Sequence, residues 1–425
     1  MILHVKPAVR LSGEIILPSS KSYTIRALLI AACGGSSTII RPSDCDDALV
    51  ALNVAKLLGA RIIHKKPNIL KIEAHRKNFS AKKINVGESG TVLRLLLPLL
   101  ACQSRHVTVT GVGTLKGRPN SYLIEALRRQ GVNIKGSGPK ASIPIHLKGG
   151  TFRGGRITID ASLSSQFISA LLIACPQLED DTELILKAKI VSSDYITMTQ
   201  QILKQSGIQI KAQGSRRYFI KARQVFGGLK NFKIPSDYGL AAFPMAAAAL
   251  TASDVTLKGH FDNRFVQADG HIFPLLRKMG VRFTKMSGSI RIQGPFQLRG
   301  GRFSLKDAPD LVPIVCVLAL FARGVTHLTD IKHARVKESD RISDLKVELL
   351  KIGARIGETE NGLTIYPSSY YKKNSFLDPH HDHRLAMAFS VLGLKLGVTI
   401  KDIECVRKSY PGFVKDLQTF LPTSL

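Results

Sequence analysis

The sequence predicts an α/β protein of two similar domains, each assembled from three copies of one repeating unit. Three observations carry this expectation. The 425 residues are too many for one ordinary hydrophobic core, and at 44% apolar they can fill two. Five amphipathic segments end in a glycine that leads into a β-branched strand, and those glycines (Gly59, Gly131, Gly207, Gly280, Gly353) are spaced by 72, 76, 73 and 73 residues. Six other segments are apolar nearly all round, as buried helices are, and they divide evenly into two sets of three.

Each element of the unit follows from local chemistry. The buried helices are read in "RALLIAAC", "TVLRLLLPLLAC", "QFISALLIAC", "GLAAFPMAAAAL", "LVPIVCVLALFA" and "HRLAMAFSVLGL". A short alternating strand follows most of them, as in "HVTVTG", "TELILK", "SDVTLKG" and "GVTHLTD". An amphipathic helix comes next, for example "YLIEALRRQGVNI", with its glycine at the position after the helix end where a positive φ is wanted. The residues thus predict a unit of strand, buried helix, strand, amphipathic helix, strand.

Composition narrows the function classes. The longest apolar run, "LVPIVCVLALFA", is shorter than the roughly 18 residues of a membrane span, and "MILHVKPAVR" lacks a signal-peptide core, so a soluble, cytoplasmic protein without a membrane partner is expected. The six cysteines show no metal-ligand spacing and are read as reduced, packed thiols. Sixty-one Lys and Arg against 31 Asp and Glu give a net charge of +30. Such a charge suits either nucleic-acid binding or the steering of small anions into a cleft, and composition leaves both open.

The residues before the six buried helices are "SSKSYTIR", "GESGT", "SLSSQ", "PSDYG", "DAPD" and "HHDHR". Ser and Asp there are good N-caps. A helix start also presents unpaired N–H groups and a partial positive charge, which favour anions. If three buried helices pack side by side, their starts point one way, and six starts on two facing domains make a cleft for a multiply anionic ligand. Lys21, Arg26, Arg94, Arg341 and Arg384 lie at or near these starts, where a plain cap needs no cation. In "RVKESDR" the spacing predicts a helix start that carries Lys337 and Arg341 on one face, with Glu338 a single carboxylate among cations, as proton transfer requires.

These motifs, in this order and over essentially the whole chain, resemble the 5-enolpyruvylshikimate-3-phosphate synthase family of enolpyruvyl transferases. The resemblance rests on "LPSSKSYTIRALL", "GESGTVLR", "KGRPNSYLIEAL", "SLSSQFISALL", "DAPDLVP", "RVKESDR" and "DHRLAMAFS". It implies the enolpyruvyl transferase fold: two domains, each of three βαβαββ units with pseudo-threefold symmetry. It also implies a discontinuous first domain of residues 1–19 and 236–425, a second of residues 20–235, and an active site in the cleft between them. The expected reaction joins phosphoenolpyruvate to the 5-hydroxyl of shikimate 3-phosphate, with no metal or organic cofactor. A monomer that acts on these two small molecules, without nucleic acid, is expected.

The resemblance also assigns roles. Lys21, Ser22, Arg26, Ser164, Ser165, Gln166, Ser192, Tyr195, Asp310, His333 and Lys337 are expected to line the shikimate 3-phosphate site. Lys21, Gly90, Arg118, Gln166, Arg341, Arg384 and Lys408 are expected to hold phosphoenolpyruvate, Gly90 because a residue without Cβ lets the backbone come close. Asp310 is implied as a base near the 5-hydroxyl and Glu338 as the acid, then base, near C3, with Lys21 among the catalytic groups and Lys337 sharing the proton transfer. Glu88 and His333 stand where the family often has Asn, Leu95 where Pro is frequent, and "SSDY" where Ser-Lys-Pro-Tyr is frequent. Glu88 is therefore expected to face an anion site unless a cation neutralises it. The sister family that uses UDP-N-acetylglucosamine usually carries a reactive Cys or Asp before the equivalent of Arg118, and "GVGTLKGR" has neither. A non-catalytic, basic nucleic-acid-binding repeat protein would explain the charge but not the ordered motifs.

Overall fold

A computed structural model describes residues 1–66, 68–74, 81–103 and 106–421. The chain forms two compact units, Met1–Pro18 with Pro235–Leu425, and Ser19–Ile234. The described residues form twelve α-helices. In the contiguous unit they are α1 (Lys21–Ala31), α2 (Asp46–Leu57), α3 (Gly90–Ala101), α4 (Ser121–Arg129), α5 (Ser165–Ala174) and α6 (Asp194–Gln205). The other unit has α7 (Tyr238–Leu250), α8 (Ile272–Lys278), α9 (Val312–Leu320), α10 (Ser343–Leu350), α11 (His383–Leu396) and α12 (Phe413–Thr419).

The odd-numbered helices are the six apolar segments, and they are buried along nearly all their length because no face of them is polar enough to meet water. In the contiguous unit α3 packs on both α1 and α5, whereas α7, α9 and α11 pack on one another pairwise. The even-numbered helices each follow one of them in the chain. The five spaced glycines end five of these amphipathic helices, all with positive φ: 104° at Gly59, 86° at Gly131, 87° at Gly207, 94° at Gly280 and 80° at Gly353.

One sheet shows the unit: Lys83–Asn85 runs parallel to His106–Thr110, Ser142–Gly150 pairs antiparallel with the latter, and Val132–Ser137 closes the order at the edge. Four more sheets repeat this order. In the sixth, Ser375–Leu377 runs parallel to Val398–Ile400, and Leu3–Val5 takes the antiparallel place. The unit therefore closes with a hairpin of two strands, as the resemblance implies, and not with the single strand read from the residues. The turn "GPKA" between Ser137 and Ser142 folds the chain back on itself, and the returning strand supplies the pairing edge that one strand alone would lack.

The two passages of the chain between units each separate a strand from the helix that follows it. Strand Arg10–Ile16 precedes α1 in sequence but pairs along its whole length with Ala252–Lys258, after α7. Strand Phe232–Lys233 precedes α7 but pairs with Ile39 and Ile40, after α1. Each strand thus completes the sheet of the unit that it leaves.

Candidate active site

The buried helix starts are capped by the residues that the motifs supply. Ser20 accepts from Tyr23 N, Ser89 from Val92 N, Ser164 from Gln166 N, Asp237 from Leu240 N and Asp382 from Arg384 N. The sixth start differs: "DAPD" opens a 3₁₀ turn, Pro309–Leu311, and no side chain caps α9, so Asp310 is left available to other groups.

In the contiguous unit, the starts of α3 and α5 are joined through Gln166. Its amide donates to Thr91 Oγ1 at 2.9 Å and its carbonyl accepts from Arg94 Nη1 at 2.7 Å. Arg94 also donates to Asn120 Oδ1 and Pro119 O and lies over the Phe167 ring, so it braces Gln166 from behind. At the start of α1, Lys21 Nζ donates to Asp47 Oδ2 at 3.1 Å. Arg26 is fully buried and donates to Thr199 Oγ1, Ser22 O and Ser169 Oγ, with the Tyr195 ring 5.5 Å from its guanidinium. Those partners are neutral, and burial pulls its pKa down to about 10, partly countered by Tyr195 and Tyr23. Such a cation gains most from an anion. Ser165 begins α5, and Ser192 sits ahead of α6 at φ 54°, an uncommon backbone state for serine.

Gly90, the first residue of α3, lies against Arg118. A Cβ at Gly90 would stand 2.8 Å from Arg118 Nη1 and 2.9 Å from its Cζ, so the missing side chain makes room for a guanidinium. Glu88 turns toward the neighbouring loop, where its Oε2 accepts from Thr114 Oγ1 at 3.1 Å.

In the other unit, Arg341 is the hub. Its Nη1 lies 2.8 Å from Asp310 Oδ1, its Nη2 2.9 Å from Glu338 Oε2, and its Nε 2.7 Å from Asp382 Oδ2. Arg384 Nη2 reaches Asp310 Oδ2 at 3.2 Å, Lys337 Nζ lies 3.6 Å from Asp310 Oδ1, and Lys408 Nζ 3.6 Å from Glu338 Oε1. Burial alone would raise the Asp310 pKa, but Lys337, Arg384 and Arg341 outweigh it and hold the carboxyl well below the usual range. His333 is pushed down to about 3 by burial and by Lys337, so it is a neutral ring at physiological pH. The ligand atoms of Glu338, Asp382 and His383 lie within 4.8 Å of one another, a spacing that suits a metal. The Arg341 guanidinium bonds both carboxylates, so the positive charge at this place is an arginine.

Two expectations are corrected here. "RVKESDR" does not open a helix: residues 332–336 form a 3₁₀ turn and α10 begins at Ser343, so Lys337 and Arg341 share no helix face. The cause is Asp340, whose carboxylate accepts from the N–H groups of Ile342 and Ser343 and holds a turn there, so that the helix begins six residues after Lys337. Nor is Glu338 a single carboxylate among cations, because Asp310 and Asp382 join it around Arg341. Asp47, Thr91, Asn120, Ser169, Thr199 and Asp382 are the supporting groups that reading along the chain did not single out as site residues. Asp382, in "HHDHR", and Thr91, in "GESGT", had a local signal as polar residues at helix starts.

A family model described as EPSP synthase (3-phosphoshikimate 1-carboxyvinyltransferase) matches residues 5–417. The chain belongs to the EPSP synthase family. Among similar proteins, the 3-phosphoshikimate 1-carboxyvinyltransferase of Methanosarcina acetivorans is 34% identical over 95% of this chain and 94% of its own length. That of Serratia proteamaculans is 33% identical over 98% of this chain and 97% of its own. A solved EPSP synthase from Acinetobacter baumannii superposes with a TM-score of 0.79 at 28% identity, covering 99% of this chain and 98% of that one. The enolpyruvyl transferase NikO of Streptomyces tendae, 18% identical with a TM-score of 0.78 over 99% of this chain and 97% of its own, shares the fold. The EPSP synthase family accounts for the ordered motifs, and neither the sister transferase nor a nucleic-acid-binding repeat is favoured by these matches. Among the described residues no helix is long and apolar enough to cross a membrane.

Proposed function

We infer that the protein transfers the enolpyruvyl group of phosphoenolpyruvate to the 5-hydroxyl of shikimate 3-phosphate, releasing phosphate and 5-enolpyruvylshikimate 3-phosphate. The observation that carries this reading is the buried cluster in which one arginine, Arg341, bonds both Asp310 and Glu338. A base and an acid held by a common cation suit a reaction that adds an alcohol across a double bond and then eliminates phosphate.

On this reading Lys21, Ser22, Arg26, Ser164, Ser165, Gln166, Ser192, Tyr195 and His333 position shikimate 3-phosphate. The buried Arg26, which donates to the neutral Thr199 Oγ1, Ser22 O and Ser169 Oγ, supports a phosphate site. Arg118, Arg341, Arg384 and Lys408 hold phosphoenolpyruvate, which Gly90 serves by admitting Arg118. Arg384 supports this role: its Nε and Nη1 are buried without a hydrogen-bond partner among the described residues. As the phosphate and carboxylate of phosphoenolpyruvate take over Arg341 and Arg384, Asp310 loses charges that stabilise its anion and becomes a stronger base. It then accepts the hydroxyl proton as the oxygen bonds C2, while Glu338 gives a proton to C3. Glu338 takes a proton back from C3 as the C2–O bond to phosphate breaks, the departing phosphate carries off the proton that Asp310 received, and Lys337 and Lys21 steady the charges. The working form is read as a cytoplasmic monomer whose partners are these small molecules.

The test is phosphate release with both substrates present. Release should require each of them, and no release with both at saturation would overturn the reading. Sedimentation velocity checks the monomer.

A further inference from the structure

Asp269 belongs to no motif used above. It lies in the 3₁₀ turn Ala268–His271 ahead of α8, buried in the interior of its unit. Its Oδ2 stands 4.0 Å from Arg384 Nη2, the same nitrogen that reaches Asp310 Oδ2 at 3.2 Å. Two carboxylates therefore lie about one guanidinium nitrogen, with Asp269 and Arg384 buried and Asp310 partly open to water. Gly239, in the first turn of α7, makes the arrangement possible: a Cβ there would run into Asp269 Oδ2 and stand 3.0 Å from Arg384 Nη1. The charged groups that act on Asp269 come from every side: Asp310 ahead of α9, Arg384 on α11, Asp237 at the cap of α7, and Lys337 ahead of α10.

Two like charges on one cation do not both ionise easily when water is absent. Asp310 has three cations about it and keeps its charge. Asp269 is the partner that yields: burial, then Asp310, raise its pKa to about 7, against the pull of Arg384. A third negative charge arriving at Arg384 must tip the balance further.

We propose that Asp269 takes up a proton from solvent as an anionic group of phosphoenolpyruvate binds Arg384, so that the incoming charge replaces the one that Asp269 gives up. Asp269 acts through Arg384 and is a positioning residue. The proposal rests on the assignment of Arg384 to phosphoenolpyruvate made above. Linkage sets its sign: a ligand that favours the protonated carboxyl binds more weakly as pH rises through the pKa of the free site, by at most about tenfold per pH unit for one proton.

The experiment is the phosphoenolpyruvate KM at saturating shikimate 3-phosphate between pH 7 and 8.5, above the ionisation of the substrate's own phosphate, which lies near pH 6. The wild-type KM should rise roughly tenfold over that range. Asp269→Asn, an isosteric neutral group, should make it flat within about threefold and give a lower KM than wild type at pH 8.5, while kcat and the shikimate 3-phosphate KM hardly change. A gain of affinity is not what damage to structure produces. A flat wild-type profile overturns the proposal without any variant, and parallel profiles for wild type and Asp269→Asn overturn it too. Should the amide variant not melt cooperatively, Gly239→Ala, whose methyl displaces Asp269 Oδ2 from Arg384, must flatten the same slope. An enzyme that releases no phosphate at all would instead refute the proposed function.

Discussion

Arg341 Nη1 and Asp310 Oδ1 lie 2.8 Å apart, and the arginine is 0% exposed, so the proposed base is held by a cation that water does not reach. This pair sets the first expectation. Asp310→Asn should lower kcat by roughly 10²-fold or more, the usual worth of a positioned acid or base. The phosphoenolpyruvate KM should not rise, because the substitution removes a negative charge that competes for Arg341 and Arg384. A variant with near-normal kcat would assign the proton transfer elsewhere.

Arg341→Lys tests the hub itself. A lysine offers one compact charge where the guanidinium reaches Asp310, Glu338 and Asp382 at once, so at least one buried carboxylate loses its partner. Breaking a buried pair in this way costs about 3–5 kcal/mol. For a unit of this size that corresponds to a Tm lower by roughly 10 °C, readable by calorimetry. An unchanged Tm would show that the carboxylates find other partners.

Gly90→Ala should act locally. Its methyl meets the tip of the Arg118 side chain and no backbone atom within the nearest contacts, so the guanidinium shifts and the fold remains. We expect a higher phosphoenolpyruvate KM, a shikimate 3-phosphate KM near wild type, and a Tm within about 2 °C, in keeping with the modest cost of changes away from packed cores. Equal losses for both substrates would mean that the glycine serves the turn alone.

His333 gives a prediction for acid stability. Its folded pKa, about 3, lies below the unfolded value of 6.5, so between these pH values the unfolded chain binds the extra proton. Stability should therefore fall as pH drops from about 6.5 toward 3, with His333 contributing at most about 1.4 kcal/mol per pH unit. His333→Asn should reduce that slope in denaturant titrations at several pH values. Identical slopes would place the acid sensitivity in other groups.

Much of this architecture could be read along the chain because the signals are local. A glycine after a helix, or a serine before one, acts within four residues, and the five glycines and five side-chain caps lie where their motifs put them. The hairpin of Val132–Ser137 and Ser142–Gly150 leaves a local trace, with Ile143, Ile145 and Leu147 buried at every second position, but a unit read with one closing strand has no place for it. "RVKESDR" misled because charges at i and i+4 suit a helix face, whereas Asp340 decides where the helix begins. Asp47, Thr199 and Asp382 meet their arginines or lysine across 26, 173 and 41 positions, and no spacing rule reaches so far.

The exchange of strands at the two passages bears on synthesis. Strand Arg10–Ile16 leaves the ribosome early, yet its partner Ala252–Lys258 comes more than 230 residues later. At about 5–20 residues per second the wait is roughly 10–50 s, during which the unit Ser19–Ile234 can finish folding while Leu11, Ile15 and Leu17 have no core to enter. Arg10 and Glu14 interrupt that apolar stretch and oppose premature pairing with other chains. Arg10–Ile16 is thus placed long after it is made, and residues 1–18 wait as a tether for a unit that does not yet exist.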